Sequence, residues 1–459
     1  MTTRPRDGVR RVVTGWRRMA ASTPAGRDRH VDLIRAVAIA AVVTGHWLVV
    51  YVTWGPSGPT GRSILELVPW THPLTWIFQV MPLFFLVGGF ANAASLTSHL
   101  ARGGNGTGWT LDRAARLVQP TTVLLCGLAA GAFVARSLGA PPATVGTAVW
   151  LASIPLWFLV AYIAVVFLTP FMYGLHRRAG LAVPIVLAAM VGADDVARLG
   201  FGVPYVGTAN YLLAWLAVHQ LGFAVQDGRL PSRWRVALPL AAAGLAVLVL
   251  LTVAGPYPVS MVGVTGERTQ NTAPPTLALL ALAVTQTGVA LSLRGLGNRW
   301  LRRPGPWTVV VAVNSVIMTL FLWHMTAVVF GVALLYGTGV LPSAAPGSAF
   351  WLLLRIPWVA CLALILAVLV VVFGRFERRA DRRSRPVEPI PGVLPATLTV
   401  AGAGAVVAGL LGVALAGPGP HGPAGLPAGV LATYLAGAAL LELVRRHRRP
   451  ASRCTTVSR

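Results

Sequence analysis

The chain has 459 residues, 55% of them hydrophobic and 11% charged, with a mean hydropathy of +0.69. Soluble domains carry about 25% charged residues, so a soluble globular protein is excluded. The formal net charge of +25 would suit nucleic acid, but the placement of that charge along the chain points to a membrane surface instead.

Residues 1–30 are Arg-rich, and no small-residue cleavage site follows them. This predicts a disordered basic cytoplasmic tail before an uncleaved first span. Apolar runs then stand near 32–53, 75–97, 117–137, 149–172, 181–198 and 208–225, and again near 236–255, 274–293, 308–336, 350–373, 396–416 and 424–443. About 20 helical residues cross a hydrocarbon core of about 30 Å, and runs this uniformly apolar lack the alternation of a barrel. The fold class is therefore all-α, a polytopic bundle of about 12 transmembrane helices. The fifth run is the weakest, because Asp194, Asp195 and Arg198 cut into its end.

All 38 basic residues are Arg. With the N-terminus inside, 32 fall in cytoplasmic segments and four (Arg62, Arg136, Arg198, Arg268) in outer loops, while Arg35 and Arg355 lie within spans. This is the positive-inside pattern, with both termini cytoplasmic. A basic face toward anionic headgroups needs no nucleic acid. The division that follows is a core over 31–374, a basic cytoplasmic linker over 375–395, two further spans over 396–443 and a basic tail over 444–459. Cys126 and Cys361 lie in spans and Cys454 in the tail, with no metal-ligand spacing and no disulfide implied.

Ionisable groups inside spans cost roughly 2.5–3.5 kcal/mol for Arg at a helix centre and default to function. The first span reads His30-Val-Asp32-Leu-Ile-Arg35, then ten residues, then His46. Eleven residues turn a helix about 20° past three full turns and rise about 16 Å. Arg35 and His46 thus share a face, with Arg35 near the inner interface and His46 near the midplane. Asp32, one turn below Arg35, is placed to pair with it. A neutral buried imidazole suits a general base; an interfacial ion pair and an interhelical hydrogen bond are the alternatives.

Farther along, Asp112-Arg113-Ala-Ala-Arg116 puts two Arg on one face at the inner mouth of the third span. Arg forks suit phosphates such as those of coenzyme A, and they equally serve as positive-inside anchors. The flexible stretch Gly103–Gly108 before them matches no nucleotide-binding fingerprint. His219 reads as structural. In the outer loop, Glu267-Arg-Thr-Gln-Asn271-Thr-Ala-Pro-Pro-Thr276 either caps the next helix locally or offers a carboxylate and an amide to a hydroxylic acceptor. His324, mid-span in Leu322-Trp-His324-Met, either lines the same cavity as His46 or bonds a neighbouring helix.

Several of these segments, in this order, resemble the acyltransferase 3 family of multi-helix membrane acyltransferases. The matches are Arg35-x10-His46, Met81-Pro-Leu-Phe-Phe-Leu-Val-Gly-Gly89-Phe, Arg113-x-x-Arg116 with Pro120, and Trp157–Tyr162. They continue with His219-Gln-Leu-Gly222, Asn271–Thr276 and Leu322–Met325, all within roughly residues 30–330. Two departures stand out: Gly88 occupies a position where Ser is common in the family, and two C-terminal spans exceed the usual ten-helix core.

The resemblance implies an O-acyltransferase of the plasma membrane. Its donor would be cytoplasmic acyl-CoA, acetyl-CoA by default, and no permanently bound cofactor or metal is implied. Its acceptor would be a hydroxyl of a glycan, lipid or small molecule. His46 would be the catalytic base with Arg35 and Asp32 beside it, Arg113 and Arg116 would hold the donor phosphates, and His324, Glu267 and Asn271 would contact the acceptor. The competing class is a secondary transporter using the same intramembrane His, Arg and Asp as a proton relay.

Overall fold

A computed structural model of the chain describes residues 14–24, 26–55, 58–342, 344–382 and 390–447. The Asp28 side chain accepts the His30 amide and starts helix α1, Arg29–Val49, as a carboxylate at the positive end of a helix should. At 21 residues, α1 rises about 32 Å. It stops at Val49, whereas hydropathy alone predicts a span to 53. The following run Val50-Tyr51-Val52-Thr53-Trp54 is β-branched and aromatic and favours extended backbone. Accordingly β1 (Val50–Gly55) pairs antiparallel with β2 (Gly58–Ser63), Val50 opposite Ser63.

The second span is broken near its start. A short helix, Thr75–Phe78, ends at Gln79, and α2 (Met81–Ala101) follows. Gln286 Nε2 donates to the carbonyls of Gln79 (2.9 Å) and Trp76 (3.2 Å), Gln79 Nε2 donates to the Met261 carbonyl, and the Met261 amide donates to Thr75 Oγ1. Unsatisfied backbone groups are costly in lipid, so side-chain amides and a hydroxyl hold the break.

Helix α3 (Gly106–Ser137) opens at Asn105, whose Oδ1 accepts the Gly108 amide, and carries Pro120 in its interior. The apolar run over 149–172 is divided between α4 (Pro142–Ser153) and α5 (Leu156–Ala179). Pro155, which has no amide hydrogen, stands at the break. Next come α6 (Ala182–Asp195) and α7 (Asn210–Gln226). At 14 and 17 residues they are shorter than the fifth and sixth predicted spans.

Helices α8 (Trp234–Val253) and α9 (Leu277–Trp300) follow, then α10 (Pro304–Asn314) and α11 (Ile317–Leu335) divide the ninth apolar run. Helix α12 (Ala349–Arg382) continues as helix through the Arg375 stretch that composition assigns to a linker. The last two are α13 (Val393–Leu415) and α14 (Ala428–Arg446). Among the described residues, ten helical segments are long and apolar enough to cross a membrane. The chain is an all-α polytopic membrane protein.

The N-terminal region also departs from the disordered tail that its composition predicts. Residues 14–21 are helical. Trp307 Nε1 donates to the Ala20 carbonyl at 3.2 Å and to Thr23 Oγ1 at 3.1 Å, and the Arg29 guanidinium lies 4.9 Å from the Trp307 ring centre. Residues 1–13, 383–389 and 448–459, Cys454 among them, lie outside the described residues.

The described residues form two compact units. Those of the first lie within Met1–Ala91, His176–Phe321 and Phe330–Val370. Here helices touch backbone to backbone at glycines. A Cβ on Gly89 of α2 would collide with the His219 carbonyl of α7, and one on Gly222 with the Leu86 carbonyl, while Phe85 stacks on Trp215 at 4.5 Å. In lipid, packing and close approach drive helix association, and small residues permit it. The motif segments around Gly89 and His219–Gly222 therefore have a packing role.

Those of the second unit lie within Asn92–Leu175, Leu322–Val329 and Val371–Arg459. Helices α13 and α14 meet closely: a Cβ on Gly409 would stand 2.6 Å from the Tyr434 amide nitrogen. The fully buried Tyr434 donates its hydroxyl to the Val118 carbonyl of α3 at 3.0 Å, with Thr122 Oγ1 also at 3.0 Å. Helix α14 is thus bonded to the helix that carries Arg113 and Arg116.

Candidate functional site

His46 stands in the last turn of α1, because the helix ends at Val49. The midplane position that a span to 53 predicts is corrected to the C-terminal end of the helix. The half-buried ring sets Nδ1 2.9 Å from the Val42 carbonyl, one turn back. A carbonyl only accepts, so Nδ1 carries the proton of the neutral ring and the basic lone pair is on Nε2. That tautomer is the one a base needs if its other nitrogen is to take a proton.

The predicted Asp32–Arg35 pair does not form. Both Asp32 oxygens are taken by Arg27, Nε to Oδ2 at 2.6 Å and Nη2 to Oδ1 at 2.9 Å. Helical side chains lean toward the N-terminus, so Asp32 reaches back to the residue before the helix and away from the one a turn ahead. Asn314 Nδ2 adds a bond to the Asp32 carbonyl at 2.9 Å. Arg35 is half-buried and has no ion-pair partner among the described residues. Asp32 thus ties Arg27 to the start of α1, and Arg35 and His46 remain on a common face.

Arg113 and Arg116 lie in the first three turns of α3, the first half-buried and the second exposed. His324 is fully buried on α11, next to Trp323, which stacks on Phe373 at 3.8 Å. These three residues belong to the second unit, whereas His46, Arg35, Glu267 and Asn271 belong to the first.

Asn271 is bonded within its own loop. It is fully buried; its Nδ2 donates to the carbonyls of Pro258 (2.8 Å) and Ser260 (2.9 Å), and its Oδ1 accepts the Thr276 hydroxyl at 2.7 Å. An amide with both ends spent inside its own loop organises that loop, and Thr276 in turn caps α9. Glu267 forms no pair with Arg268: it is half-buried, and Oε2 has no hydrogen-bond partner among the described residues.

Two clusters were not legible in the sequence. The first centres on Asp195, 1% exposed at the end of α6. Its Oδ2 accepts the Tyr257 hydroxyl (2.9 Å) and the Leu277 amide (2.8 Å), and its Oδ1 accepts Arg198 Nη2 (3.1 Å) and Asn210 Nδ2 (3.3 Å). Burial first, then the charge of Asp195 and the bond to it, pushes the Tyr257 hydroxyl well above the usual phenol range, which keeps it a donor.

The second cluster closes the start of α1. Arg294 pairs with Asp28 at 2.7 Å, Asn298 donates to the same carboxylate and accepts the His30 amide, and His30 Nε2 is 2.8 Å from the Ala290 carbonyl. A small, mostly apolar cavity adjoins it, lined by Ile34, Leu86, Phe90 and Leu291 beside Asp28 and Arg294. The sequence marked Asp195 only as an interruption and Arg294 only as an inner charge, because their partners lie 62 and 266 residues away.

Helices that cross a membrane, with Arg35 and His46 on one face of the first, define a polytopic membrane protein with ionisable groups inside its spans. The chain matches the model of the acyltransferase 3 family, described as an acyltransferase domain, over residues 28–376. It belongs to that family and is a membrane acyltransferase. The match includes α1 to α11 and most of α12; α13 and α14 lie beyond it. No curated protein and no solved structure matches the chain.

Proposed function

We propose that this acyltransferase moves an acyl group, acetyl in the simplest case, from cytoplasmic acyl-CoA to a hydroxyl of a cell-envelope glycan, a glycolipid or a small molecule. The observation that carries the reading is the Nδ1 bond of His46 to Val42, which puts the basic lone pair on Nε2 inside a membrane-spanning helix. His46 removes the proton of the acceptor hydroxyl as its oxygen attacks the thioester carbonyl. The tetrahedral intermediate collapses, the C–S bond breaks, and the imidazolium returns the proton to the departing coenzyme A thiolate. General-base catalysis of this kind contributes about 10²–10⁴-fold.

Arg113 and Arg116 are assigned to the donor phosphates, since guanidinium forks bind phosphate bidentately. Glu267, with an unpartnered oxygen in the loop before α9, is the candidate acceptor contact. The arginine distribution supports an orientation with both termini in the cytoplasm, in a protein that we assign to the plasma membrane.

The test is to feed membranes containing the protein with acetyl-labelled coenzyme A and count label in lipid, glycan and small-molecule fractions. Label appearing only with the protein present supports the reading and identifies the acceptor class. Purified protein that neither binds acetyl-CoA nor transfers label would overturn it.

A further inference from the structure

Arg355 is a cation buried inside a span, 6% exposed in α12. No carboxylate pairs with it among the described residues. Its Nη1 donates to the Val50 carbonyl at 2.9 Å, and three residues on, Trp358 Nε1 donates to the Trp47 carbonyl at 2.8 Å. The guanidinium lies 4.3 Å from the Trp351 ring centre and 5.9 Å from that of Trp358. Val50 in turn gives its amide to the His46 carbonyl and closes α1.

These contacts gather on one place. The last carbonyls of a helix lack partners within it, and the end that bears them is the negative pole of the helix dipole, where a cation is favoured. A single donor would satisfy one carbonyl. Two donors one turn apart on α12, engaging carbonyls three residues apart on the other segment, fix the rotation of that last turn as well as its distance. Rotation matters here, because each residue turns the helix by about 100° and the turn being held contains His46.

We infer that Arg355, together with Trp358, is a positioning residue for the acyl transfer, holding the last turn of α1 so that His46 presents Nε2 in the productive direction. This rests on the reading of His46 as the base. Truncating either donor frees the turn to rotate and lowers the rate of the chemical step, while donor binding is left as it was. A lysine at 355 keeps the charge and one donor within reach of the Val50 carbonyl.

The experiment compares full-length wild type with His46→Ala, Arg355→Gln, Arg355→Lys and Trp358→Phe in lipid nanodiscs. It measures turnover per folded molecule and the KM for acetyl-CoA. Arg355→Gln and Trp358→Phe should each lower kcat by about tenfold or more with KM within about twofold, and Arg355→Lys should recover most of the loss. In the His46→Ala background, Arg355→Gln should change residual turnover by less than about twofold, since the group it positions is gone.

Near-normal turnover in His46→Ala would remove the base reading and this inference with it. An inactive His46→Ala alongside wild-type kcat in Trp358→Phe and in folded Arg355→Gln would overturn the positioning role alone. So would variants that lose only folded protein. If Arg355→Gln does not fold, Trp358→Phe and Arg355→Lys decide.

Discussion

The Tyr257 hydroxyl donates to the Asp195 carboxylate at 2.9 Å, joining the loop before α9 to the end of α6. Because the same carboxylate also takes the Leu277 amide and Arg198, its loss strands several donors at once. Asp195→Ala should lower stability by about 3–5 kcal/mol, and Tyr257→Phe by about 1–2 kcal/mol. Thermal unfolding in a mild detergent measures both, and equal small losses would contradict the hub.

The same pair sets an alkaline dependence. The Tyr257 hydroxyl is raised above its ordinary value of 10.0 in the folded protein, so its contribution is complete below about pH 10 and declines as pH rises beyond that. Unfolding followed from pH 8 upward should show wild type losing this increment above about pH 10, while Tyr257→Phe lacks that component.

Gly89 has no room for a side chain, because a Cβ there would strike the His219 carbonyl, whereas Gly131 of α3 has open space around it. Gly89→Val should therefore prevent accumulation of folded protein in membranes. Gly131→Ala should be tolerated and gain up to about 1 kcal/mol of helix stability. Fluorescence-detected size exclusion of the two variants separates them, and normal accumulation of Gly89→Val would contradict the close approach of α2 and α7.

Much of the fold was legible because membrane insertion imposes long apolar runs, and α1, α3, α8, α9, α13 and α14 stand close to where hydropathy places them. Breaks inside such runs were less visible. Hydropathy is blind to Pro155 ending α4, to the β-branched run after Val49, and to Gln286 stabilising the interruption at Gln79. Within the site, the shared face of Arg35 and His46 follows from helical spacing alone. The partner of Asp32 did not, since Arg27 lies outside the helix whose periodicity suggested Arg35. Asn271 and Arg355 were opaque for another reason: polarity in a sequence does not say whether a group is spent on its own fold.

Tyr434 bonds α14 to α3 through the Val118 carbonyl. Tyr434→Phe leaves the packing and removes the hydrogen bonds, which should cost about 1 kcal/mol and loosen the C-terminal pair. Faster proteolysis between α13 and α14 in the variant than in wild type checks this, and unchanged proteolysis would contradict it.

If Arg113 and Arg116 hold the donor phosphates, each charge-assisted contact is worth about 1.5–3 kcal/mol. Arg113→Gln and Arg116→Gln should then each raise the KM for acetyl-CoA by about 10–100-fold. The effect on kcat should be much smaller. Kinetics with acetyl-CoA beside a truncated donor lacking the nucleotide phosphates test the assignment, because the truncated donor should be indifferent to both substitutions.

The most direct test of the account is turnover of His46→Ala against wild type, at equal folded amounts and saturating acetyl-CoA. Turnover should fall by at least about 10²-fold with acetyl-CoA binding intact. Turnover within a fewfold of wild type would contradict His46 as the base.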